Sequence, residues 1–296
     1  MFIINNKKIF IIISTVLVLA AIISIVVLKP TLGVDFRGGS LLEVEYTTKR
    51  PDMDTLKEIL VSLELDSIIQ PTGDNGYILK THELTETEHQ NLLQVLSFDN
   101  SAEFNEKSFT SIGPSIGKEL RRKAVVSIIL VILAIVAYIA YVFRKVSRPV
   151  SSWKYGIIAV IALVHDIIIP SGIFAWFAYY YGAEVDTLFV VALLTILGLS
   201  VSDTIVVFDR IRENLNEKKF TTFAETVGNS LEQTYQRSVN TSLTVILVLL
   251  ALVFFGPEST KYFALTLTAG MFFGTYSSIF LASPLLVLWA EWGRKK

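Results

Sequence analysis

The chain has 296 residues, 52% hydrophobic and 18% charged, with a mean hydropathy of +0.55 and a net charge of −1. That is too apolar for a soluble globule and too charged for a chain lying wholly in a bilayer, so a membrane protein with one sizeable soluble domain is expected. The near-zero charge suggests no nucleic-acid partner, and the lack of cysteine excludes disulfides, thiol chemistry and cysteine-ligated zinc.

Residues 1–30 read as an N-terminal transmembrane helix. Lys7 and Lys8 precede an unbroken apolar run from Ile9 to Leu28, about long enough to cross a ~30 Å hydrocarbon core. The run ends at Lys29-Pro30 with no small-residue cleavage site, which favours an uncleaved helix over a signal peptide.

Residues 31–122 read as an α+β domain. Leu42, Val44 and Tyr46 alternate with Glu43 and Glu45, as in a strand. Leu56, Ile59, Leu60 and Leu63 recur at helical spacing. Short strands at 67–70 and 77–80 flank a turn rich in Pro, Gly, Asp and Asn. Thr85 and Glu88 form a capping box for a helix carrying His89, Leu92, Leu93 and Leu96, and a strand closes the domain at 101–112. This order is the ferredoxin-like split pattern. His82 and His89 beside Glu83, Glu86 and Glu88 lack the spacing of a metal motif; a solvated helix start is expected, with no metal. The glycines of Gly33-Val34-Asp35-Phe36-Arg37-Gly38-Gly39 lack the ending of a phosphate loop and are expected to permit tight turns.

Residues 123–296 read as a five-helix membrane domain, with spans at 124–143, 155–181, 187–208, 238–255 and 262–289. Together with the first helix this gives an α-helical polytopic protein of six transmembrane helices, with the α+β domain between helices 1 and 2. Basic residues set the orientation. Lys7 and Lys8, then Arg144, Lys145, Arg148 and Lys154, then Arg210, Arg212, Lys218, Lys219 and Arg237, then Arg294, Lys295 and Lys296 all fall on one side. That side is expected to be cytoplasmic, with both termini inside and the α+β domain outside. Lys118, Arg121, Arg122 and Lys123 run against the rule, but they follow a long translocated domain, where it is weak. Phe220, Phe223, Val227, Leu231 and Tyr235 suggest an amphipathic helix near 220–236 on the inner membrane face, with an ordinary soluble hairpin as the alternative.

Asp203 interrupts the fourth span, and a carboxylate in a bilayer helix costs about 2.5–3.5 kcal/mol on insertion scales. It therefore needs a partner, a water path or a proton, unless it reaches the headgroups from near the helix end. Asp166 falls near mid-membrane, where proton carrying and an interhelical hydrogen bond are both open readings. Arg237 opens the fifth span, either as an inner anchor or as a charge partner, and Asn240 or Thr241 continues its face. Gly198 and Ser202 on the fourth span, and Gly270, Gly274 and Ser278 on the sixth, form small-residue rows expected to pack closely against other helices. There is no nucleotide loop, nucleophile–base pair or metal cluster, so neither enzymatic activity nor a cofactor is expected.

Five stretches carry a specific resemblance: Val34-Asp35-Phe36-Arg37-Gly38-Gly39, Gly113-Pro114-Ser115-Ile116-Gly117, Val164-His165-Asp166, the run from Gly198 to Asn214, and Arg237-Ser238-Val239-Asn240-Thr241-Ser242. In this order, across nearly the whole chain, they resemble the SecF branch of the SecD/SecF family of bacterial protein-export subunits, within the RND superfamily. The resemblance implies a plasma-membrane subunit that pairs with SecD, associates with the SecYEG channel, and uses the proton-motive force to help export polypeptides. It ties Asp203 and Arg237 to proton coupling. From the placement of the polar groups, Asp166 is expected alongside them, with Ser200, Asn240 and Thr241 as supporting polar residues. Membrane lipid, protons and the translocating polypeptide are the other implied partners. An RND-type small-molecule exporter half and a structural scaffold for the channel are the alternative readings.

Overall fold

A computed structural model describes residues 1–62, 65, 67–98, 102–143 and 152–294. Leu63 of the first helical repeat, the basic residues Arg144, Lys145, Arg148, Lys295 and Lys296, and the strand start expected at Ser101 lie outside the described residues.

In chain order the elements are α1 (Phe2–Asn5), α2 (Lys7–Leu28), α3 (Val34–Arg37), β1 (Gly39–Tyr46), α4 (Met53–Ser62), β2 (Ile68–Thr72), β3 (Gly76–Thr81), α5 (Glu86–Leu96), β4 (Phe104–Ile112), α6 (Pro114–Val142), α7 (Ser152–Tyr181), α8 (Thr187–Asn216), α9 (Phe223–Phe255) and α10 (Glu258–Ser277). A π-helical turn, Ser278–Ala282, joins α10 to α11 (Ser283–Arg294). Six helices among the described residues are long and apolar enough to cross a membrane: α2, α6, α7, α8, α9, and α10 continued through α11. The chain divides into two compact units.

One unit holds Leu32–Val125 and Glu184–Thr187. Its four strands form an antiparallel sheet in the order β2-β3-β1-β4. β1 buries Leu42, Val44 and Tyr46 and turns Glu43 and Glu45 outward, as a two-residue period requires. Leu56 and Leu60 of α4 and Leu92 and Leu96 of α5 cover the inner face. Thr85 and Glu88 make the expected capping box on α5. These hydrogen bonds hold the Glu88 carboxyl below its ordinary range. His89 departs from the solvated position expected of it. It is only 5% exposed and stacks on Phe109 at 3.7 Å, because it lies one turn before Leu92 on the buried face of α5.

Two of the glycine-bearing motifs meet in this unit. Gly38 and Gly39 have φ of +86° and +134°, and a Cβ on Gly38 would lie 2.8 Å from the Pro114 Cα. A Cβ on Gly39 would lie 2.5 Å from the Thr81 carbonyl oxygen, and one on Gly117 would lie 3.0 Å from the Gly38 nitrogen. Both the backbone conformation and the close approach therefore demand glycine. The connection between α7 and α8 is tied to the same unit. Lys80 pairs with Glu184 at 3.0 Å, and the Thr187 amide donates to Asp35 Oδ2 at 2.9 Å.

The other unit is the helical bundle, Met1–Thr31, Val126–Ala183 and Leu188–Lys296. α2 and α7 run in the same direction: Gly172 packs on Ala21, and Trp176 Nε1 donates to Ser24 Oγ at 3.1 Å. α8 runs antiparallel to α7, with Phe189 on Phe174 and Ser200 on Asp166. α10 also opposes α7, with Tyr262 near Phe177 and Tyr276 near His165. Pro170 sits inside α7 four residues after Asp166, so the Asp166 carbonyl lacks its helical amide donor. The π turn follows from Pro284, which cannot continue the α-helical ladder; the Ser283 hydroxyl instead donates to the Ser278 carbonyl at 3.0 Å.

The segment near 220–236 is not a separate helix lying on a membrane face. It forms the first turns of the uninterrupted helix α9, started by a Thr222–Glu225 capping box. Phe223, Val227 and Leu231 are buried in a cluster with Ile4, Phe208, Ile211 and Leu286, whereas Tyr235 is 48% exposed. Packing on α8, α11 and the N-terminal residues thus supplies the apolar partner that a membrane surface was expected to supply.

Candidate functional site

The polar groups of the bundle converge on the last turn of α10. Thr275, Ser277 and Ser278 present hydroxyls to α7, α8 and α9 just before and at the start of the π turn. π turns recur at functional sites because one extra residue per turn redirects side chains.

Asp203 of α8 is partly buried, and its Oδ2 accepts from Thr275 Oγ1 at 3.1 Å. A second hydrogen bond joins Thr275 to Ser242 of α9. A threonine hydroxyl has one proton. If Thr275 donates to Asp203, Ser242 must donate to Thr275. The chain then runs from α9 through α10 to the carboxylate. A proton arriving on Oδ2 reverses it, because the carboxyl becomes the donor.

Asp166 of α7 is fully buried and more completely partnered. His165 Nδ1 lies 2.8 Å from Oδ1, and the hydroxyls of Ser200 and Ser277 donate to Oδ2, the latter at 2.8 Å. Thr204 and Ser278 are joined at 2.8 Å, one helical turn along α8 from Ser200. Below these groups, buried Asn214 donates to Ser230 Oγ at 2.8 Å and to Gln233 at 2.9 Å, fixing α9 against α8.

Arg237 does not form an ion pair of 4.0 Å or less with Asp203, although its charge acts on the carboxylate through space. It is exposed on one face of α9 with Asn240 and Thr241. The supporting amide and hydroxyl expected at Asn240 and Thr241 therefore do not reach Asp203. The opposite, buried face carries Ser238 and Ser242, and Ser242 is linked to Asp203 through Thr275. Helical periodicity groups 237 with 240 and 241, but it cannot say which way that face points. Ser242, Thr275, Ser277 and Thr204 lay outside the expected site. The only sequence signal for them is a cluster of hydroxyls at similar depth in three apolar helices.

The small-residue rows also separate. A Cβ on Gly270 would lie 2.2 Å from the Ile196 side chain, and one on Gly274 would lie 3.2 Å from Ser200. Gly270, Gly274 and Ser278 thus pack along Ile196, Ser200 and Thr204 of α8. Gly198 and Ser202 do not take part. Both are exposed, and nothing lies within 4 Å of a Cβ on Gly198.

Comparison with known proteins agrees along nearly the whole chain. The model for the C-terminal part of the protein-export membrane proteins SecD and SecF matches residues 93–292, and the SecD/SecF GG motif matches residues 23–49. The chain is 40% identical over 292 residues to the protein translocase subunit SecF of Thermobaculum terrenum, covering 95% of this chain and 91% of that one. It is 35% identical over 295 residues to that of Anaerolinea thermophila, covering 98% and 95%. The crystal structure of SecDF, a translocon-associated membrane protein from Thermus thermophilus, matches with a TM-score of 0.83 at 30% identity over 97% of this chain. This chain spans 38% of the length of that SecDF.

Proposed function

The chain belongs to the SecD/SecF family of protein-export membrane proteins, and from that premise we propose that it is a SecF-type subunit of the Sec translocase, acting with SecD to couple the proton-motive force to polypeptide export. The observation that carries this reading is Asp203. Its bonded partner is a neutral hydroxyl at the junction of three helices, and among the described residues no cation is paired with it. A carboxylate so placed can take or release a proton without breaking an ion pair, whereas Arg237 remains protonated throughout. Protonation reverses the Thr275–Ser242 chain and removes the attraction to Arg237, so α8, α9 and α10 adopt a second arrangement. Each charge crossing the full potential supplies about 2.3 kcal/mol per 100 mV, enough to bias two arrangements more than tenfold.

On this reading the protein lies in the plasma membrane with both termini in the cytoplasm. The sheet unit, read as a ferredoxin-like domain, is extracytoplasmic and responds to the bundle, holding or releasing the emerging chain near the SecYEG channel. The exposed Gly198–Ser202 row and the Arg237–Asn240–Thr241 face are assigned to SecD, since polar and small residues on bundle surfaces favour another helix over lipid. The role is that of a transporter subunit rather than an enzyme. Against a small-molecule exporter, only Gly256 and Pro257 separate α9 from α10, which leaves no room for a second outer domain.

Asp203→Asn tests the reading. It keeps the side-chain shape and removes the titratable group. The variant is expected to reach wild-type abundance and to recover SecD normally, yet to lose gradient-dependent export in inverted vesicles. Export at the wild-type rate would make Asp203 a packing residue.

A further inference from the structure

The bundle contains a second buried carboxylate, Asp166, and its neighbour His165 lines a crevice at the bundle surface. A crevice of about 310 Å³ lies between α2 and α7. Ser14, Thr15 and Leu19 line one wall, and Val164 and His165 line the other. Farther along, α2 and α7 touch at Ala21 and Gly172, where a Cβ on the glycine would lie 2.5 Å from the alanine Cβ. The crevice is the gap left beside that contact.

Among the described residues, His165 is the only titratable group in the lining. It is 2% exposed, its Nδ1 is 2.8 Å from Asp166 Oδ1, and its Nε2 is buried with no hydrogen-bond partner among the described residues. An orphaned ring nitrogen inside a helix bundle carries a desolvation cost of about 1–3 kcal/mol, which calls for an explanation. The groups around the ring are few. Asp166 is on its own helix, and Tyr276 of α10 stacks on it at 6.0 Å. The Ser14 hydroxyl of α2 reaches the Tyr276 hydroxyl at 3.4 Å, and Ser200 of α8 is occupied by Asp166.

We propose that His165 relays protons between the α2–α7 crevice and Asp166. This rests on the proton-coupling reading above and extends it to a second carboxylate. In the starting state Nδ1–H donates to the Asp166 carboxylate and Nε2 holds a free lone pair. A hydronium in the crevice gives its proton to Nε2, and the Nδ1 proton passes to Asp166 Oδ1. The hydronium becomes water, the imidazole stays neutral with the proton on Nε2, and the carboxyl now donates back to Nδ1. No charge is left on the ring. Ser200 and Ser277 keep their bonds to Oδ2 throughout, so the relay needs no helix movement. The hydroxyls of Ser14 and Thr15 and the His165 ring are the polar groups of a crevice otherwise lined by aliphatic side chains, so a proton carrier there has these three as partners.

The test reads Asp166 directly. Infrared difference spectra of the full chain in lipid nanodiscs, with Asp166→Asn identifying the band, give the protonated carboxyl and its rate of hydrogen–deuterium exchange. His165→Gln still donates to Oδ1 but cannot pass a proton on, and Val164→Trp fills the crevice while leaving the histidine in place. Both are expected to slow exchange at Asp166 by at least about tenfold, the low end of what a positioned acid–base group contributes. Asp203→Asn is expected to leave that exchange unchanged, so failure of the relay and failure of the Asp203 mechanism are separable. Wild-type exchange in both folded variants would overturn the proposal, as would the absence of an Asp166 carboxyl band at any pH at which the protein stays folded.

Discussion

Thr275 of α10 donates to Asp203 of α8 at 3.1 Å, and the same hydroxyl is bonded to Ser242 of α9. One side chain thus links three helices, and its direction depends on whether the carboxyl is ionised. Thr275→Val keeps the volume and removes the link. It is expected to weaken gradient-driven export strongly while leaving assembly intact, and Thr275→Ser is expected to restore most of the activity. An interhelical hydrogen bond of this kind is worth about 0.6 kcal/mol, so loss of export without loss of abundance separates switching from packing. Equal export by the valine and serine variants would show that the hydroxyl has no part in coupling.

Arg237 acts on Asp203 without touching it, from a face of α9 that is open within this chain. Arg237→Met is therefore expected to reduce gradient-dependent export, and Arg237→Lys to retain a substantial part of it, because a through-space charge does not need guanidinium geometry. Vesicle export with and without a collapsed proton gradient measures both. Wild-type export by the methionine variant would reduce Arg237 to an anchor.

The two small-residue rows are expected to fail differently. Gly270→Leu forces a side chain into Ile196 and overpacks the α8–α10 contact, costing about 1–3 kcal/mol or more. It should lower the abundance and thermal stability of the chain itself. Gly198→Leu meets open space in this chain and should leave it stable while impairing recovery of SecD. Thermal scanning and co-purification distinguish them. Normal SecD recovery with Gly198→Leu would remove that face from the interface.

The orientation is testable with single cysteines in a chain that has none. Asp74 lies at the exposed β2–β3 turn, and Thr221 lies in the exposed connection between α8 and α9. From the outside of intact cells, Asp74→Cys is expected to react with an impermeant maleimide and Thr221→Cys to be protected. The reverse pattern would place the sheet unit in the cytoplasm.

Tyr46 gives the sheet unit an alkaline limit. Burial, with a smaller contribution from Tyr77, pushes its phenol from 10.0 up to about 12, and its hydroxyl donates to the Leu96 carbonyl at 3.2 Å. The folded state therefore holds this proton more tightly than the unfolded state. Stability is fully present below pH 10 and falls as pH rises toward 12, with a limiting slope of about 1.4 kcal/mol per pH unit. Limited proteolysis of the full chain on either side of pH 10 reads this loss. Tyr46→Phe is expected to cost about 1 kcal/mol at neutral pH and to flatten the alkaline dependence.

The sequence by itself determined most of the elements, though not the continuity of α9 or the π turn after α10. Apolar runs marked the six membrane-length helices, two-residue alternation marked β1, and Thr85 with Glu88 marked the start of α5. It also singled out Asp203, because one charge in an apolar helix stands out whatever surrounds it. Only the tertiary structure decided which partners that charge has. Hydroxyls in these helices commonly bond the carbonyl one turn back, as Thr15, Ser24, Ser171, Thr195 and Thr268 do. The sequence cannot separate such self-satisfied groups from Ser242 and Thr275, which cross to another helix. The same limit governed the faces of α8 and α9. Periodicity fixed that Arg237, Asn240 and Thr241 lie together, and that Gly198 and Ser202 do. The direction each face points depends on how a helix is rotated against its neighbours, and contacts such as Gly270 on Ile196 set that rotation.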